Sequence, residues 1–100
     1  MFSWYDEIQK IKSWIDRNIE QNITLSQISN YCGYSPHYLS KKFRELEGIS
    51  LKKYILTSKI QHSAIQLLET DARIIDIALS HGYSSQEAFT RAFLKVYGIT

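Results

Sequence analysis

The feature that most constrains the fold of this 100-residue chain is a pattern that occurs twice. A displacement of 49 residues places the run from Leu25 to Tyr34 on the run from Ile74 to Tyr83. With one residue inserted, a displacement of 50 places residues 35–50 on residues 85–100. Each copy reads as a helix, a Gly-Tyr-Ser turn, a second helix and a Gly-Ile stop. This order is that of a helix-turn-helix.

A two-repeat helical scaffold of the solenoid type is the alternative interpretation of this repeat. Solenoids usually need at least three repeats to be stable. A long predicted helix also separates the two copies, which interrupts simple stacking. The pattern therefore favours a pair of helix-turn-helix units.

Hydrophobic periodicity and cap residues predict three helices in the first half of the chain. The first begins near Trp4, ends near Asn22 and presents an isoleucine stripe. The second opens at Thr24, with Gln27 completing a capping box, and ends at Gly33. The third begins at Ser35-Pro36 and ends at Gly48. We expect these inward-facing residues in the second and third helices: Leu25, Ile28, Cys32, Leu39, Phe43 and Leu46.

Three further helices are predicted in the second half. The fourth is capped by Ser50 and covers about residues 51–68, and the fifth covers about residues 74–81. The sixth is expected to begin at Ser84, with Glu87 completing a second capping box, and to end near Gly98. Phe89 and Phe93 are expected to face inward.

Composition excludes several classes of protein. Apolar residues make up 44% of the chain and aromatic residues 13%, which argues against disorder. The longest apolar run is far shorter than a membrane span. The single Cys32 excludes an internal disulfide, and the three histidines share no metal-ligand spacing. Phosphate loops and nucleophile motifs are absent from the sequence. We therefore expect a protein that is not an enzyme, takes no cofactor or metal, and has no membrane partner.

The charge distribution is more informative than the net charge of +2. Residues 31–65 contain six Lys and Arg against two Glu, whereas the flanking thirds are each slightly acidic. A basic middle third indicates a polyanionic partner. An ordinary solvated face would give the same composition, so charge alone leaves both interpretations open.

The quoted motifs resemble the DNA-binding domain of the AraC family. Gly33-Tyr34-Ser35 with Tyr38-Leu39, Lys41 and Phe43 resembles its first motif. The second motif is closer and is carried by these residues: Ile74, Asp76-Ile77-Ala78, Gly82-Tyr83-Ser84-Ser85, Phe89, Arg91 and Phe93. The resemblance covers the chain from about Gln9 to Thr100 and is closest to the stand-alone MarA, SoxS and Rob type.

This resemblance implies an all-α fold with two homeodomain-like helix-turn-helix subdomains joined by a long linker helix. The whole of residues 1–100 would form one DNA-binding region. Its first lobe would cover residues 1–50, its linker helix residues 51–68, and its second lobe residues 69–100. The family continues beyond Gly98-Ile99-Thr100, so we expect the C-terminal end of the second lobe to be incomplete.

The resemblance also implies a function. A bacterial, cytoplasmic and nucleoid-associated monomer would read double-stranded promoter DNA in two adjacent major grooves, contact RNA polymerase and act mainly as an activator. We expect no small-molecule site in this chain. A linker helix of 18 residues is roughly 27 Å long, whereas successive major grooves lie about 34–36 Å apart, so we expect bent DNA or one lobe poorly engaged.

Candidate DNA-binding residues follow from the matching positions of the two motifs. In the first motif they are Pro36, His37, Ser40, Lys41 and Arg44. In the second they are Gln86, Glu87, Thr90 and Arg91, of which Arg91 is the strongest candidate. The candidates for phosphate contacts are Ser35, Lys59, Ser84, Ser85 and Lys95.

Some of these roles stay open at this stage. Lys41 can bond guanine or a phosphate, and His37 can contact a base, a phosphate or neither. Glu87 can accept from cytosine N4 or close the capping box. Two alternatives to the leading function also remain: an output fragment of a larger ligand-sensing regulator, and a helical protein-interaction module that has lost DNA affinity.

Overall fold

The computed structural model describes residues 1–98 and places six helices and no strand in them. Their bounds are α1 Trp4–Arg17, α2 Leu25–Cys32, α3 Pro36–Glu47, α4 Leu51–Glu69, α5 Ile74–Ser80 and α6 Gln86–Val96. The all-α prediction is confirmed. None of the helices in the described residues is long and apolar enough to cross a membrane.

The chain divides into two compact units, and the division falls inside α4. Unit 1 comprises Met1–Asn18 and Ile23–Ile55. Its α1 packs on α2, and α2 packs on α3. Buried side chains of this unit are Ile8, Ile11, Ile15, Ile28, Leu39, Phe43 and Leu51. Full burial of each such side chain contributes about 1.5–3 kcal/mol, so this core is the main source of stability for unit 1.

Unit 2 comprises Ile19–Asn22 and Leu56–Thr100, of which residues up to 98 are described. Its core joins Ile60 of α4 to Ile77 and Ala78 of α5 and Phe89 of α6. Partly buried apolar side chains pack around these four: Leu67, Tyr83, Ala92, Phe93 and Val96. The inward orientation predicted for Phe89 is confirmed.

The two turns of the repeat share a backbone conformation. Gly33 and Gly82 have φ angles of +84° and +86°, a left-handed conformation that glycine adopts with little cost. In the first turn the buried Ser29 hydroxyl donates to the Tyr34 carbonyl. In the second turn Ala78 replaces that serine, and the Tyr83 amide donates to the Ala78 carbonyl at 3.1 Å. The duplication seen in the sequence is therefore present in the local structure.

Most predicted helix ends are confirmed, because they depend on local hydrogen bonds. The Thr24 capping box forms in both directions, with Gln27 N donating to Thr24 Oγ1 at 3.2 Å and Thr24 N to Gln27 Oε1 at 3.0 Å. Ser35 caps α3, and Ser50 Oγ accepts from Lys53 N at the start of α4. Gly98 follows α6 as predicted, whereas the predicted matches at Ile99 and Thr100 lie outside the described residues.

The predicted end of the first helix was wrong. Helix α1 ends at Arg17 rather than near Asn22, because Asn18 closes it. The Asn18 side-chain amide donates to the Trp14 carbonyl at 2.8 Å, and its backbone amide donates to Trp14 and Ile15. Ile19 is buried but belongs to the segment after the helix.

The predicted second capping box was also wrong. Helix α6 begins at Gln86, and its N-cap is Ser85, whose hydroxyl accepts from the Ala88 amide at 3.1 Å. The residue inserted in the second repeat moves the cap from Ser84 to Ser85. The third helical position is then Ala88, which has no side chain that can return a hydrogen bond.

Three apolar residues of the first repeat are less buried than predicted. Leu25 is 37% exposed at the first position of α2, and Leu46 is 45% exposed in the last turn of α3. Cys32 is partly buried, and its thiol lies 3.8 Å from the Ser29 carbonyl. Only Ile28, Leu39 and Phe43 of the predicted inward set form the buried face.

Candidate nucleic-acid interface

Helix α3 presents a polar face opposite its buried residues. Leu39 and Phe43 are buried, whereas Pro36, His37, Lys41 and Arg44 are exposed. The spacing of four and three residues between positions 37, 41 and 44 aligns these side chains along one face of the helix. Ser40 lies half-buried at the margin of the same face. The structure thus brings the first set of sequence-predicted residues together on one exposed surface.

The positive charge of this face is not neutralised by neighbouring carboxylates. The acidic residues of the middle third are both engaged elsewhere: Glu47 pairs with Lys12 and Glu45 with Lys42, at 4.0 Å for the second pair. Lys42 also lies over the Trp4 ring, 4.9 Å from its centroid. Within residues 1–98, Lys41 and Arg44 have no ion pair. Both cations are available to a polyanion.

A cleft of about 590 Å³ borders this face within unit 1. Its apolar lining consists of Ile23, Leu25, Leu51 and Ile55. Its polar lining combines the predicted residues of α3 with the start of α4, namely His37, Ser40, Lys41, Arg44, Ser50 and Lys52. Leu25 is partly exposed because its side chain lines this cleft.

Lys52 is a functional candidate that the site prediction missed. It is exposed at the beginning of α4, lines the cleft with Lys41 and Arg44, and has no ion pair in the described part of the chain. Its charge was counted in the basic middle third, but only the fold shows that it lies beside α3.

Helix α6 repeats this arrangement in unit 2. Phe89 is buried, whereas Gln86, Glu87, Thr90 and Arg91 are all exposed. None of these four side chains has a hydrogen bond or an ion pair to another residue of the range 1–98. Lys41 and Arg91 occupy equivalent positions in the repeat, so each unit offers a cation at the same place on its second helix.

The shifted cap changes the interpretation of Glu87. The sequence left two roles open for this side chain, a base contact or closure of a capping box on Ser84. Because Ser85 is the cap, Glu87 is at the second position of α6 and makes no capping hydrogen bond. Its carboxylate remains free on the same face as Arg91.

The predicted phosphate ligands differ in accessibility. Ser35 and Ser85 are helix N-caps whose hydroxyls accept backbone amides, at 3.2 and 3.1 Å. Ser84 and Lys95 are exposed. Lys59 is half-buried in α4, and this desolvation lowers the pKa of its ammonium group. Lys59 is therefore less accessible to a phosphate than Lys95.

His62 and His81 lie side by side in unit 2, although their separation in the sequence matches no metal-ligand motif. His81 is the C-cap of α5, as the sequence predicted, but it is buried, with 2% exposure. Its Nε2 lies 2.9 Å from His62 Nδ1, and the Glu20 carboxylate lies nearby. This group forms the only candidate metal cluster of three or more ligands in residues 1–98.

Comparison with known proteins identifies the family. A family of helix-turn-helix domains matches residues 28–100. The Tn10 TetD protein of Escherichia coli is 31% identical over 93 residues, which span 93% of this chain and 67% of TetD. An HTH-type transcriptional regulator of Staphylococcus aureus strain MSSA476 is 36% identical over 88 residues, which span 88% of this chain but only 12% of that protein.

A solved structure shows the same fold. A transcriptional regulator from Chromobacterium violaceum, with an AraC-type DNA-binding domain, superimposes with a TM-score of 0.88. It is 26% identical, and the match covers 96% of this chain and 86% of that one. The S. aureus and C. violaceum proteins are both named transcriptional regulators. The chain therefore belongs to the AraC-type helix-turn-helix family of DNA-binding transcription regulators.

Proposed function

We propose that this chain recognises a specific double-stranded promoter sequence through the exposed faces of α3 and α6. One observation carries the proposal: in both repeats an exposed cation that has no ion pair within residues 1–98 stands two residues before an aromatic side chain that packs inward. These pairs are Lys41 with the buried Phe43 in unit 1 and Arg91 with the partly buried Phe93 in unit 2. Each second helix of a helix-turn-helix enters a major groove in this class of fold.

Specific roles follow from the chemistry of each side chain. Lys41 and Arg91 donate to guanine O6 and N7, and Gln86 is suited to adenine N6 and N7. Glu87, which is free of a capping role, accepts from cytosine N4. His37, Ser40 and Thr90 contact neighbouring base edges from the same faces. These contacts supply specificity, because base edges differ between base pairs in the major groove.

Phosphate contacts fix the position of the two helices. The N-termini of α3 and α6, at Ser35-Pro36 and Ser84-Ser85, present backbone amides to phosphate oxygens. Arg44 and Lys95 lie in the last turns of α3 and α6, and Lys52 lies at the start of α4, so they offer positive charge to other phosphates. Lys59 contributes less, because it is partly buried.

We further propose that one chain reads two adjacent grooves of bent DNA. Helix α4 has 19 residues and is therefore roughly 28 Å long, whereas successive major grooves of straight B-DNA lie about 34–36 Å apart. Bending a site of this size costs on the order of 1–6 kcal/mol, which the added contacts repay. A cyclic-permutation gel is expected to show bending; straight DNA with both grooves protected contradicts this part of the proposal.

Base recognition is tested on a duplex selected by the protein from a random pool. Lys41→Ala and Arg91→Ala are each expected to weaken binding to this duplex by about 1–3 kcal/mol and to relax specificity at one position. Lys10→Ala, an exposed lysine of α1, is the matched control and is expected to bind like the original chain. If both variants protect the selected site like the original chain, the assignment of α3 and α6 is wrong.

Activation through RNA polymerase is the regulatory part of the proposal. Transcription in vitro from a promoter that carries the selected site is expected to rise when the chain is added. A fall in transcript marks a repressor. Tight binding to polymerase together with no salt-dependent affinity for any duplex supports the protein-interaction module instead.

The same DNA-binding function could also belong to a larger polypeptide, and one comparison supports this alternative. The chain spans only 12% of the S. aureus relatives it matches, so in those proteins the homologous segment is one part of a much larger polypeptide. We propose, as the alternative, a DNA-binding output module of a larger regulator. An antibody against the chain distinguishes the two settings in cells of the source organism, since a band near 11.7 kDa indicates the chain alone.

A further inference from the structure

Three potential metal ligands meet in unit 2, outside the proposed DNA-binding faces. They are Glu20 after α1, His62 in the middle of α4 and His81 at the end of α5. One ligand atom from each residue lies within 4.8 Å of the others. Two imidazoles and one carboxylate form a ligand set that proteins use for zinc.

Hydrogen bonds to Nδ1 fix the ring orientation of His81, as is usual for a metal-binding histidine. Its Nδ1 lies 2.9 Å from the Ile77 carbonyl and 3.2 Å from Ser80 Oγ, and Ser80 Oγ itself donates to the Ile77 carbonyl. A carbonyl oxygen only accepts, so Nδ1 carries the proton and Nε2 has a free lone pair. A backbone carbonyl on the distal nitrogen is the usual partner of a metal-binding histidine.

His62 faces that lone pair. Its Nδ1 lies 2.9 Å from His81 Nε2, and the ring centroids are 5.2 Å apart. With the His81 proton on Nδ1, His81 Nε2 is the acceptor of this hydrogen bond and His62 Nδ1 is the donor. His62 is half-buried. Moving the His62 proton from Nδ1 to Nε2 leaves the ring neutral and turns both facing nitrogens into acceptors, so a cation can replace the hydrogen bond without loss of a proton.

Gln66 completes the polar group. It follows His62 by one turn of α4, and its Nε2 donates to Glu20 Oε1 at 3.2 Å. Its Oε1 is buried and has no hydrogen-bond partner within residues 1–98. A buried acceptor without a partner is unfavourable, because it has lost its hydrogen bonds to water. A water molecule on a bound cation is a donor that would satisfy it.

We propose that Glu20, His62 and His81 bind one divalent transition-metal ion of the zinc class. At Zn–N distances of about 2.05 Å, a tetrahedral angle needs nitrogens about 3.3 Å apart, so the two rings must separate by roughly 0.4 Å. The exposed Glu20 side chain closes the remaining gap by rotation, and water completes the coordination. Magnesium and calcium are disfavoured, because they prefer oxygen ligands.

The site joins elements that define the second helix-turn-helix. His81 directly precedes Gly82 and the turn into α6, and His62 lies in α4. A bound ion therefore links α4 to the end of α5 and is expected to raise the unfolding temperature of the chain, as any ligand that binds only the folded state does.

The test uses cobalt and zinc with the full chain and no DNA. Cobalt(II) is expected to give d–d absorption bands without a thiolate charge-transfer band, and zinc calorimetry is expected to give one ion per chain. His62→Gln and Glu20→Gln are expected to weaken zinc binding at least tenfold. Zinc is expected to raise the melting temperature of the original chain and of the control, but not of these two variants. His37→Gln is the matched control, because it removes a histidine from the other unit.

Circular dichroism of each variant verifies folding before titration. His62→Gln and Glu20→Gln alter half-buried and exposed positions, so they keep the test decisive even where a change at the buried His81 unfolds unit 2. Absence of cobalt bands overturns the proposal. Equal zinc affinity of the original chain and His62→Gln, or loss of binding in His37→Gln or Cys32→Ser, overturns it as well.

Discussion

Replacement of Ser85 by alanine tests the position at which the second reading helix begins. The Ser85 hydroxyl accepts the Ala88 amide at 3.1 Å, whereas the exposed Ser84 side chain makes no hydrogen bond to any residue of the range 1–98. Ser84→Ala is therefore a control one residue away. Glu87→Gln is a second control, because the carboxylate takes no part in the cap.

The expected magnitudes follow from the cap chemistry. Loss of a serine N-cap costs about 1 kcal/mol of unfolding free energy, with a range of roughly 0.5–2 kcal/mol. For a cooperative unit of 60–100 residues, 1 kcal/mol lowers the melting temperature by about 4–8 °C. Helix α6 carries the buried Phe89, so fraying of its first turn loosens the core of unit 2. Ser84→Ala and Glu87→Gln are expected to stay within about 0.5 kcal/mol of the original chain.

Thermal unfolding followed by two probes measures this difference. Far-ultraviolet circular dichroism reports all helices, whereas both tryptophans, Trp4 and Trp14, belong to unit 1. Ser85→Ala is expected to shift the dichroism transition with a smaller shift in fluorescence. The reasoning is refuted if Ser84→Ala costs as much as Ser85→Ala, because that result places the cap at Ser84 and restores the capping box that the sequence predicted.

Three further predictions concern other parts of the chain. Tyr83→Phe is expected to stabilise the protein by about 1 kcal/mol in urea titrations, because the Tyr83 hydroxyl is buried without a partner in the described residues; a loss of stability contradicts this. Burial raises the pKa of Tyr83, so ionisation of its hydroxyl does not affect stability below about pH 10 and lowers it as pH rises through the folded-state pKa; the phenylalanine variant should lack this alkaline loss. Phe43→Ala is expected to cost about 3–5 kcal/mol and to unfold unit 1 by tryptophan fluorescence, and a cost below about 1 kcal/mol is inconsistent with its burial. Lys52→Ala is expected to weaken binding to all duplexes equally and to reduce the slope of log affinity against log salt by about 0.9, so an unchanged slope removes it from the interface.

Features that depend on neighbouring residues were predictable from the sequence. The caps at Thr24 and Ser35 and the left-handed glycine at Gly33 each depend on hydrogen bonds or dihedral angles within four residues. The residue types at these positions are enough to predict the caps and the left-handed turn. The exposed faces of α3 and α6 followed in the same way, once the buried Leu39, Phe43 and Phe89 had been assigned.

Features that depend on competition or on tertiary contact were not predictable. Two adjacent serines, Ser84 and Ser85, both satisfy the cap preference, and only the actual start of α6 selects between them. Helix α1 ends because Asn18 makes side-chain and backbone hydrogen bonds to its last turn. The isoleucine periodicity continues to Ile19, so it gave no sign of this end. Lys52 and Leu25 line a cleft formed by several helices. The sequence pattern predicts each helix separately and does not show which residues of different helices lie side by side.

The histidine pair illustrates the same limit. His62 and His81 are 19 residues apart and belong to different helices, and Glu20 comes from a third segment. Metal-ligand motifs are recognisable in a sequence when ligands share one helix or one turn. A ligand set assembled from three segments has no such spacing, so it became visible only when the fold brought the side chains together.

Methylation interference on the selected duplex tests whether one chain carries two base-reading helices. Methylation of guanine N7 is expected to block the original chain in two groups of bases about one helical turn apart. Lys41→Ala is expected to abolish interference in one group only, and Arg91→Ala in the other group only. A single group of interfering bases, or loss of the same group in both variants, would contradict the account.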